Sequence, residues 1–382
     1  MLPEGWKYSN LGEFASNITS GSRDWAQYYS DTGDKFVRMT NLARDGVKIS
    51  ENDMKFVSIP HDSTDGKRTA LKNGDILISI TAELGKIGLV PNGFGTAFIN
   101  QHLALVRLKT ATASSTFVAY ALSSKKLNQK LNSLNDAGAK AGLNLSTIRS
   151  IPILLPPLPE QKKIAAILST WDRAIEGTEK LLANSQQQKK ALMQQLLTGK
   201  KRLPGFTGEW KRQSFKVIFD VDNQKDTQTP ASEYKEEGRT PIVDQGKSFI
   251  SGYTDANTVY ENVPVIIFGD HTRVIKWVDF PFSPGADGTQ VLRTRANTIN
   301  KFGYYLLQNV DLPNLGYSRH MKELKEQIFH CPPLPEQKAI AAVLSTADEE
   351  ITALESDLSR LRQEKKALMQ QLLTGKRRVR VN

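Results

Sequence analysis

The sequence has very little of the chemistry that holds disulfide and zinc proteins together. Cys331 is the one cysteine in 382 residues, which excludes an intrachain disulfide and a cysteine-rich zinc site. The five histidines have no metal-type spacing. No uncharged apolar run approaches the roughly 18 to 20 residues that span a bilayer, and the first residues lack the basic and apolar regions of a secretory signal. We therefore expect a soluble protein of a reducing cytoplasm, with no metal site and no membrane partner.

The sequence also lacks the motifs by which common nucleotide-binding and DNA-modifying enzymes are recognised. Neither Asn-Pro-Pro-aromatic nor Asp-Pro-Pro-aromatic, the tetrads of base amino-methylation, occurs. Gly93-Phe-Gly-Thr-Ala-Phe98 supplies two glycines without an adjoining βαβ pattern, and Gly246-Lys247-Ser248 has Pro241 where a phosphate loop needs its first glycine. No paired-carboxylate-plus-lysine nuclease arrangement is recognisable. We therefore expect no catalytic residue and no cofactor in this chain.

Positive charge is what the sequence has in excess. Lys plus Arg number 51 against 40 for Asp plus Glu, which leaves a net charge of +11 and an isoelectric point of about 9.4. Such an excess favours a polyanionic partner. The length indicates two or three domains, and hydrophobic residues at 39% suffice for packed cores.

A long internal repeat organises the chain. Pro156-Pro-Leu-Pro-Glu-Gln-Lys162 recurs as Pro332-Pro-Leu-Pro-Glu-Gln-Lys338, at an offset of 176 residues. The blocks 156–200 and 332–376 share 30 identities over 45 residues without a gap. The segments before them, roughly 1–155 and 204–331, show little similarity to each other. The plan is therefore a variable segment, a repeat block, a second variable segment and a second block.

Each repeat block is predicted to form one long helix with a coiled-coil seam. Pro159 and Pro335 suit a first helical turn, and Gly199 and Gly375 suit a helix end. A seven-residue repeat held over about five heptads is typical of a coiled coil. Its apolar positions are Ile164, Leu168, Ile175, Leu182, Leu192 and Leu196 in the first block, and Ile340, Leu344, Ile351, Leu358, Leu368 and Leu372 in the second.

Two arrangements of these helices are considered. They could be unrelated surface helices, each packed on its own domain, or they could pair with each other within the chain. The shared register favours an intramolecular pair, and a pseudo-twofold axis across the helices would make it antiparallel. Thr178, Ser185 and the lysines at 189 and 365 are expected to weaken the seam locally.

The variable segments are predicted to be mixed and rich in strands. Alternating or continuous apolar runs predict strands at 75–81, 87–90 and 103–108 in the first segment, and at 263–268 and 274–278 in the second. Short helices are predicted at 115–124 and 301–308. The order of the strands in a sheet does not follow from the pattern.

At the repeated Pro-Pro-Leu-Pro-Glu-Gln-Lys opening and the Leu-Leu-Thr-Gly-Lys ending, the chain resembles the specificity subunit of type I restriction–modification enzymes over its full length. Further family-like stretches are Gly74-Asp-Ile-Leu-Ile78, Ile99-Asn-Gln-His102, Gly269-Asp-His-Thr-Arg273, Val278-Asp-Phe-Pro-Phe282, Gly285-Ala-Asp-Gly288 and Gly316-Tyr-Ser-Arg-His320.

The resemblance implies an α+β fold with two strand-rich target-recognition domains, at 1–155 and 204–331. An antiparallel pair of coiled-coil helical spacers, at 156–203 and 332–382, would separate them in a pseudo-twofold arrangement. It implies a non-catalytic subunit that binds double-stranded DNA, each domain reading one half of a bipartite asymmetric site. Two modification subunits with S-adenosylmethionine would methylate adenine, and restriction subunits with ATP and Mg would cleave.

The resemblance carries over no base-reading residues, so the candidates are polar and basic groups beside glycine-rich turns, where direct readout requires such side chains. They are Ser20, Ser22, Arg23, Asn41, Lys140 and Asn144 in the first domain, and Lys247, His271, Arg273, Arg319 and His320 in the second. Two alternatives stay open: a fused nuclease or methyltransferase, and a coiled-coil scaffold that binds DNA non-specifically.

Overall fold

The chain divides into two compact units that do not coincide with the repeat blocks. The computed structural model describes residues 2–60, 66–133, 143–313 and 318–381. One unit comprises Met1–Gly177 with Leu358–Asn382, and the other comprises Thr178–Asp357. Both boundaries fall inside the long helices, because each helix packs partly in one unit and partly in the other. The predicted ranges 1–155, 156–203, 204–331 and 332–382 follow the repeat along the chain instead.

The first unit combines short strands with helices, and its last helix continues into the second unit. In chain order its elements are β1 (Lys7–Asn10), α1 (Leu11–Phe14), β2 (Ala15–Ser20), β3 (Tyr29–Ser30), β4 (Asp34–Val37), β5 (Lys55–Val57), β6 (Ile76–Ser79), β7 (Ile87–Leu89), β8 (Ala97–Ile99), β9 (Leu103–Leu108), α2 (Ser115–Ser123), α3 (Lys125–Ser133), α4 (Leu145–Arg149), β10 (Pro152–Leu155) and α5 (Leu158–Leu196).

The second unit begins within α5 and takes the next elements in order. They are β11 (Lys211–Ser214), α6 (Phe215–Ile218), β12 (Phe219–Val221), β13 (Thr240–Val243), β14 (Gly252–Thr254), β15 (Val265–Gly269), β16 (Ile275–Val278), β17 (Ser283–Pro284), β18 (Thr289–Thr294), α7 (Asn300–Gln308), α8 (Met321–Lys325), β19 (Ile328–Cys331) and α9 (Leu334–Leu372). Single 3-10 turns occur at Trp25–Tyr28, Met39–Asn41, Lys67–Thr69, Lys225–Thr227 and Ala231–Glu233.

The two units share one sheet topology although their sequences are dissimilar. The first has an antiparallel sheet in the order β2-β9-β6-β7, and the second has the matching order β12-β18-β15-β16. A further sheet in each unit contains one parallel pair, β4 with β8 and β13 with β17, and an antiparallel neighbour, β5 and β14. Strand β1 pairs with β10 as β11 pairs with β19. The variable segments are therefore two versions of one fold.

The central strands of both units, β6 and β15, are buried and almost entirely apolar. All residues of Ile76–Ser79 and of Val265–Gly269 are buried. Such continuous apolar strands need cover on both faces. Helix α2 packs in the core of the first unit and α7 in that of the second.

The long helices α5 and α9 pair antiparallel in both units, as predicted. In the first unit, Ile164 and Leu168 from the start of α5 share a core with Leu372 from the end of α9. In the second, Leu196 from the end of α5 shares a core with Leu344 from the start of α9. All twelve apolar seam positions are buried or partly buried. Unrelated surface helices are therefore the wrong interpretation.

Three residues beyond the last residue of each long helix lies a glycine in the left-handed conformation. Gly199 and Gly375 each have φ +71°, a value that glycine adopts without steric cost. Among the helices of the described ranges, none combines the length and apolar character needed to cross a bilayer.

Candidate nucleic-acid interface

A tyrosine–aspartate–lysine contact fastens the strand-rich part of the first unit to both long helices. Tyr120 on α2 donates its hydroxyl hydrogen to Asp172 Oδ2 on α5 at 2.5 Å. Lys365 on α9 forms an ion pair with the other carboxylate oxygen and lies 5.3 Å from the Tyr120 ring centroid. Burial, and then the bond to Asp172, raises the pKa of Tyr120. Three elements thus meet at one carboxylate.

The second unit repeats this contact, with its aspartate and lysine at the repeat offset of 176 residues and its tyrosine on a helix of the second variable segment. Tyr305 on α7 donates to Asp348 Oδ2 at 2.6 Å, and Lys189 Nζ lies 2.5 Å from Asp348 Oδ1. Lys189 also lies 5.5 Å from the Tyr305 ring centroid. The two lysines that are predicted to weaken the seam are each paired with an aspartate of the facing helix. Ser185, predicted to act similarly, donates to Glu350 Oε1 at 2.9 Å.

A tryptophan–glutamate–arginine clamp holds the first turn of α5. The buried Glu160 carboxylate accepts from Trp6 Nε1 at 3.2 Å and from Arg378 Nε and Nη2 at 2.8 and 2.9 Å. The bond to Glu160 raises the pKa of Arg378. Segments far apart in sequence are joined, and the acidic group lies where the helix dipole favours it.

The equivalent clamp in the second unit holds the first turn of α9. Glu336 accepts from Trp210 Nε1 at 3.2 Å and from Arg202 Nε and Nη2 at 3.0 and 2.5 Å. The clamps and the tyrosine contacts show that both units attach their strand-rich parts in the same way.

Loops of the second unit converge on the side chain of Gln245, just beyond β13. Its Oε1 accepts from the backbone N–H of His271 at 3.1 Å, and its Nε2 donates to the carbonyl of Asp287 at 3.1 Å. The segment 318–320 also joins these loops, because the backbone N–H of His320 donates to the carbonyl of Asp270 at 2.9 Å. We call residues 245–248, 270–273, 287–288 and 318–320 the second-unit loop cluster.

The structure brings all five second-domain candidates into this cluster. Lys247 and Arg319 are exposed, and His271 is partly exposed, with Nδ1 3.3 Å from the carbonyl of Ser318. Arg273 donates to the carbonyl of Leu312 at 2.8 Å. His320 is fully buried, with Nδ1 2.9 Å from the carbonyl of Asp270. Its ring is thus placed to order the loop, and its role as a base contact stays a prediction.

The first unit has a loop cluster that includes the segments after β6 and β8, the counterparts of β15 and β17. Ser22 bridges to Asn100, which follows β8, and Thr81 Oγ1, which follows β6, lies 2.7 Å from His102 Nδ1. Gly21 permits this approach, because a Cβ there would lie 2.1 Å from the Asn100 carbonyl oxygen. We call residues 20–23, 67–68, 81 and 100–102 the first-unit loop cluster.

Ser20, Ser22 and Arg23 lie in the first-unit loop cluster, and Arg23 is exposed. Asn41 and Asn144 lie outside this cluster. Asn41 is buried; its Oδ1 accepts from the N–H of Arg38 at 2.9 Å and its Nδ2 donates to the carbonyl of Ser50 at 3.1 Å. Both polar ends are bound to backbone, and its role as a base contact stays a prediction.

Asn144 is exposed and caps α4, because its Oδ1 accepts from the N–H of Thr147 at 2.7 Å. A helix cap of this kind accounts for its side chain. Lys140 lies outside the described residues.

Sequence reasoning missed Lys67, Arg68 and Gln245. Lys67 and Arg68 are exposed and form an adjacent basic pair after Gly66, and Arg68 bonds the hydroxyl of Thr19 beside Ser20. The sequence signal for this pair was the two adjacent basic residues themselves. Gln245 carried none, since its role depends on segments 26 and 42 residues away.

Most of the chain matches a known family model. A model described as "Type I restriction modification DNA specificity domain" matches residues 3–184 and 207–361. The putative type I restriction enzyme MjaX specificity subunit of Methanocaldococcus jannaschii is 24% identical over 420 residues, which cover 99% of this chain and 95% of that relative. The EcoR124I/EcoR124II specificity subunit of Escherichia coli is 31% identical over 142 residues, covering 34% of this chain and 35% of that protein.

Solved structures share the fold. The crystal structure of a type I restriction–modification S subunit from M. genitalium aligns with a TM-score of 0.66 at 16% identity, covering 96% of both chains. A structure described in terms of complex assembly and conformational transition of the type I R-M system aligns with a TM-score of 0.54 at 20% identity, covering 98% of this chain and 99% of that one.

Proposed function

Because the chain belongs to the family of type I restriction–modification DNA specificity subunits, we propose that each unit reads one half of a bipartite, asymmetric DNA site. As a specificity subunit it is the non-catalytic member of such a system. One observation supports the two-reader proposal above others: the units share a topology but differ in the side chains of their loop clusters. Two related folds with different contact surfaces suit two different half-sites.

For the contacts, we propose exposed or partly exposed members of the loop clusters other than Arg273, whose guanidinium binds the Leu312 carbonyl. Arg23 in the first unit, and Lys247, His271 and Arg319 in the second, offer donors for base edges or phosphates. Ser20 and Ser22 are partly exposed beside Arg23. Arg273, Asn41, Asn144 and His320 serve mainly to order the loops that carry these groups, and Lys140 keeps its place as a proposed contact.

We propose that the long helices set the number of base pairs between the half-sites. Each helix is continuous over 39 residues, which is about 58 Å at ~1.5 Å per residue. The tyrosine contacts and clamps support this role, because they attach each strand-rich part to both helices by buried and partly buried polar groups.

The catalytic steps are assigned to partners. We propose that two modification subunits, supplied with S-adenosylmethionine, methylate adenine within the site, and that restriction subunits use ATP and Mg to cleave. The specificity chain holds none of these cofactors itself, and the assembly acts in the cytoplasm. Its positive net charge supports the contact with DNA.

Methylation sequencing of cells with and without the chain tests the proposal. We expect one split motif with a constant gap that disappears when the chain is removed. Exchanging residues 1–155 for another recognition domain should change one half-site and leave the other. Both half-sites changing together would contradict independent readers. Salt-dependent binding of random duplexes without preference would instead indicate a non-specific scaffold.

A further inference from the structure

Two neighbouring apolar side chains are exposed on the loop between β13 and β14. Phe249 is 47% exposed and Ile250 is 39% exposed. All fifteen phenylalanines of the sequence lie in the described ranges, and Phe249 is the single exposed one. Its one ring contact is the edge of Phe280, at 6.0 Å between centroids. Scattered apolar residues are normal on a surface, but an adjacent pair beside basic loops calls for an explanation.

The loop that carries this pair is held rigidly from below. The buried Lys276 on β16 donates to the carbonyls of Asp244 and Ser248 at 2.8 and 2.5 Å. The Asp244 carboxylate accepts from the N–H of Gly246 at 2.8 Å and from the hydroxyl of Ser251. Both ends of the loop 244–251 and its turn are therefore bound. Little conformational entropy is lost when the tip of the loop, Phe249 with Ile250, makes a contact.

The matching loop of the first unit differs. The connection between β4 and β5 runs over residues 38–54, about twice the length of 244–251. Its apolar side chains Leu42, Val47 and Ile49 are buried. The shared fold thus diverges at this connection, and a position that differs between two related readers is a place where specificity can reside.

We propose, on the basis of the function proposed above, that Phe249 and Ile250 are specificity-determining residues that contact the apolar surface of bases in the half-site of the second unit. Lys247, two residues away and exposed, contacts the phosphate backbone beside them. Gln245 anchors the same loop to the second-unit loop cluster, so the apolar tip and the polar contacts address one stretch of DNA.

DNA offers two apolar surfaces to such a tip. One is the 5-methyl group of thymine in the major groove. The other is the face of a base at a partly unstacked step, into which phenylalanine or isoleucine side chains insert. Both use the same side-chain chemistry, and the DNA substrate can be varied to separate them.

The test uses the full chain assembled with its modification subunit and duplexes carrying the motif found by methylation sequencing. We expect Phe249→Ala and Ile250→Ala to weaken binding of the cognate duplex by about 5- to 100-fold, because each removes an apolar contact with a base. The preference for cognate over mismatched bases should fall at the half-site of the second unit and stay unchanged at the half-site of the first. Ile328→Ala is the matched control, because Ile328 is 49% exposed in the same unit. Phe249→Leu keeps an apolar tip and should retain most of the binding.

Two substrate changes identify the surface. If deoxyuridine in place of thymidine in the second half-site weakens the wild type and leaves Phe249→Ala unaffected, the methyl group is the ligand. If 2-aminopurine fluorescence rises on binding of the wild type and not of Phe249→Ala, an unstacked base is the ligand. Either result supports the proposal.

The failures are distinguishable. Loss of all sequence preference by the wild type would overturn the proposed function and this inference with it. A specific wild type whose Phe249→Ala and Ile250→Ala variants behave like Ile328→Ala would overturn the inference alone. Variants that bind DNA normally but no longer assemble with the modification subunit would assign the pair to a protein contact. If Phe249→Ala does not fold, Ile250→Ala and Phe249→Leu decide between these outcomes.

Discussion

Removing the hydroxyl of Tyr305 should loosen the second unit and leave the first unchanged. In Tyr305→Phe the Asp348 carboxylate loses a 2.6 Å hydrogen bond but keeps Lys189. A hydrogen bond to a charged group contributes about 1.5 to 3 kcal/mol. The Asp348 side chain is 32% exposed, so water replaces part of the bond and we expect a loss of about 1 to 2 kcal/mol. That loss corresponds to about a 5- to 30-fold change in an opening equilibrium.

Amide hydrogen exchange in the full chain measures this change where it occurs. Exchange in α7 should accelerate by about that factor, and exchange in α2 should not change. Tyr120→Phe is the mirror control, because Tyr120 makes the same bond to Asp172 in the first unit. The double variant Tyr305→Phe, Lys189→Met should lose less stability than the two single variants lose together, because both substitutions remove a partner of the Asp348 carboxylate. Equal acceleration in both units, or none in α7, would refute the assignment of these bonds as local attachments.

Three further outcomes are expected. Four residues inserted near Gly199 add about 6 Å if helical. Methylation sequencing should then show a gap between the half-sites that is longer by about one or two base pairs, at ~3.4 Å each. An unchanged gap would refute the proposal that the long helices set this distance. Asn41→Ala should lower the thermal unfolding temperature because it frees buried backbone groups, while Arg23→Ala should keep that temperature and weaken DNA binding; the reverse pattern would contradict the assigned roles. Burial and then Asp348 raise the pKa of Tyr304 to about 12. The unfolded phenol therefore loses its proton near pH 10 while the folded one keeps it, so the stability present below pH 10 should fall as the pH rises from 10 to 12. At pH 11 the absorbance of the folded protein at 295 nm should exceed that of Tyr304→Phe by less than one normally titrating phenol would add.

The long helices could be predicted closely because their signal is local and repeated. The blocks at 156–200 and 332–376 enclose Leu158–Leu196 and Leu334–Leu372. Their antiparallel pairing followed from the duplicated register. Strands were also located well: 103–108 matches β9, and 87–90 contains β7.

Strand order and the roles of single polar residues could not be predicted, because both depend on distant partners. The parallel pairing of Lys35 with Ala97 joins segments about 60 residues apart, and no turn pattern indicates it. Asn41 and His320 have the side chains of base-reading residues, but the fold uses them to bind backbone groups in buried loops. Burial of a polar group is decided by tertiary structure, so a local pattern does not reveal it.

The clamp of the first unit has a consequence for synthesis on the ribosome. Ile164 and Leu168 share their core with Leu372, which leaves the ribosome about 200 residues later. At about 5 to 20 residues per second this delay is roughly 10 to 40 s. During that time the apolar face of α5 has no α9 to cover it, and Glu160 has no Arg378. Each nascent chain on a polysome thus presents the same uncovered face to its neighbours, so slow translation of residues 204–331 favours association between chains before either has folded.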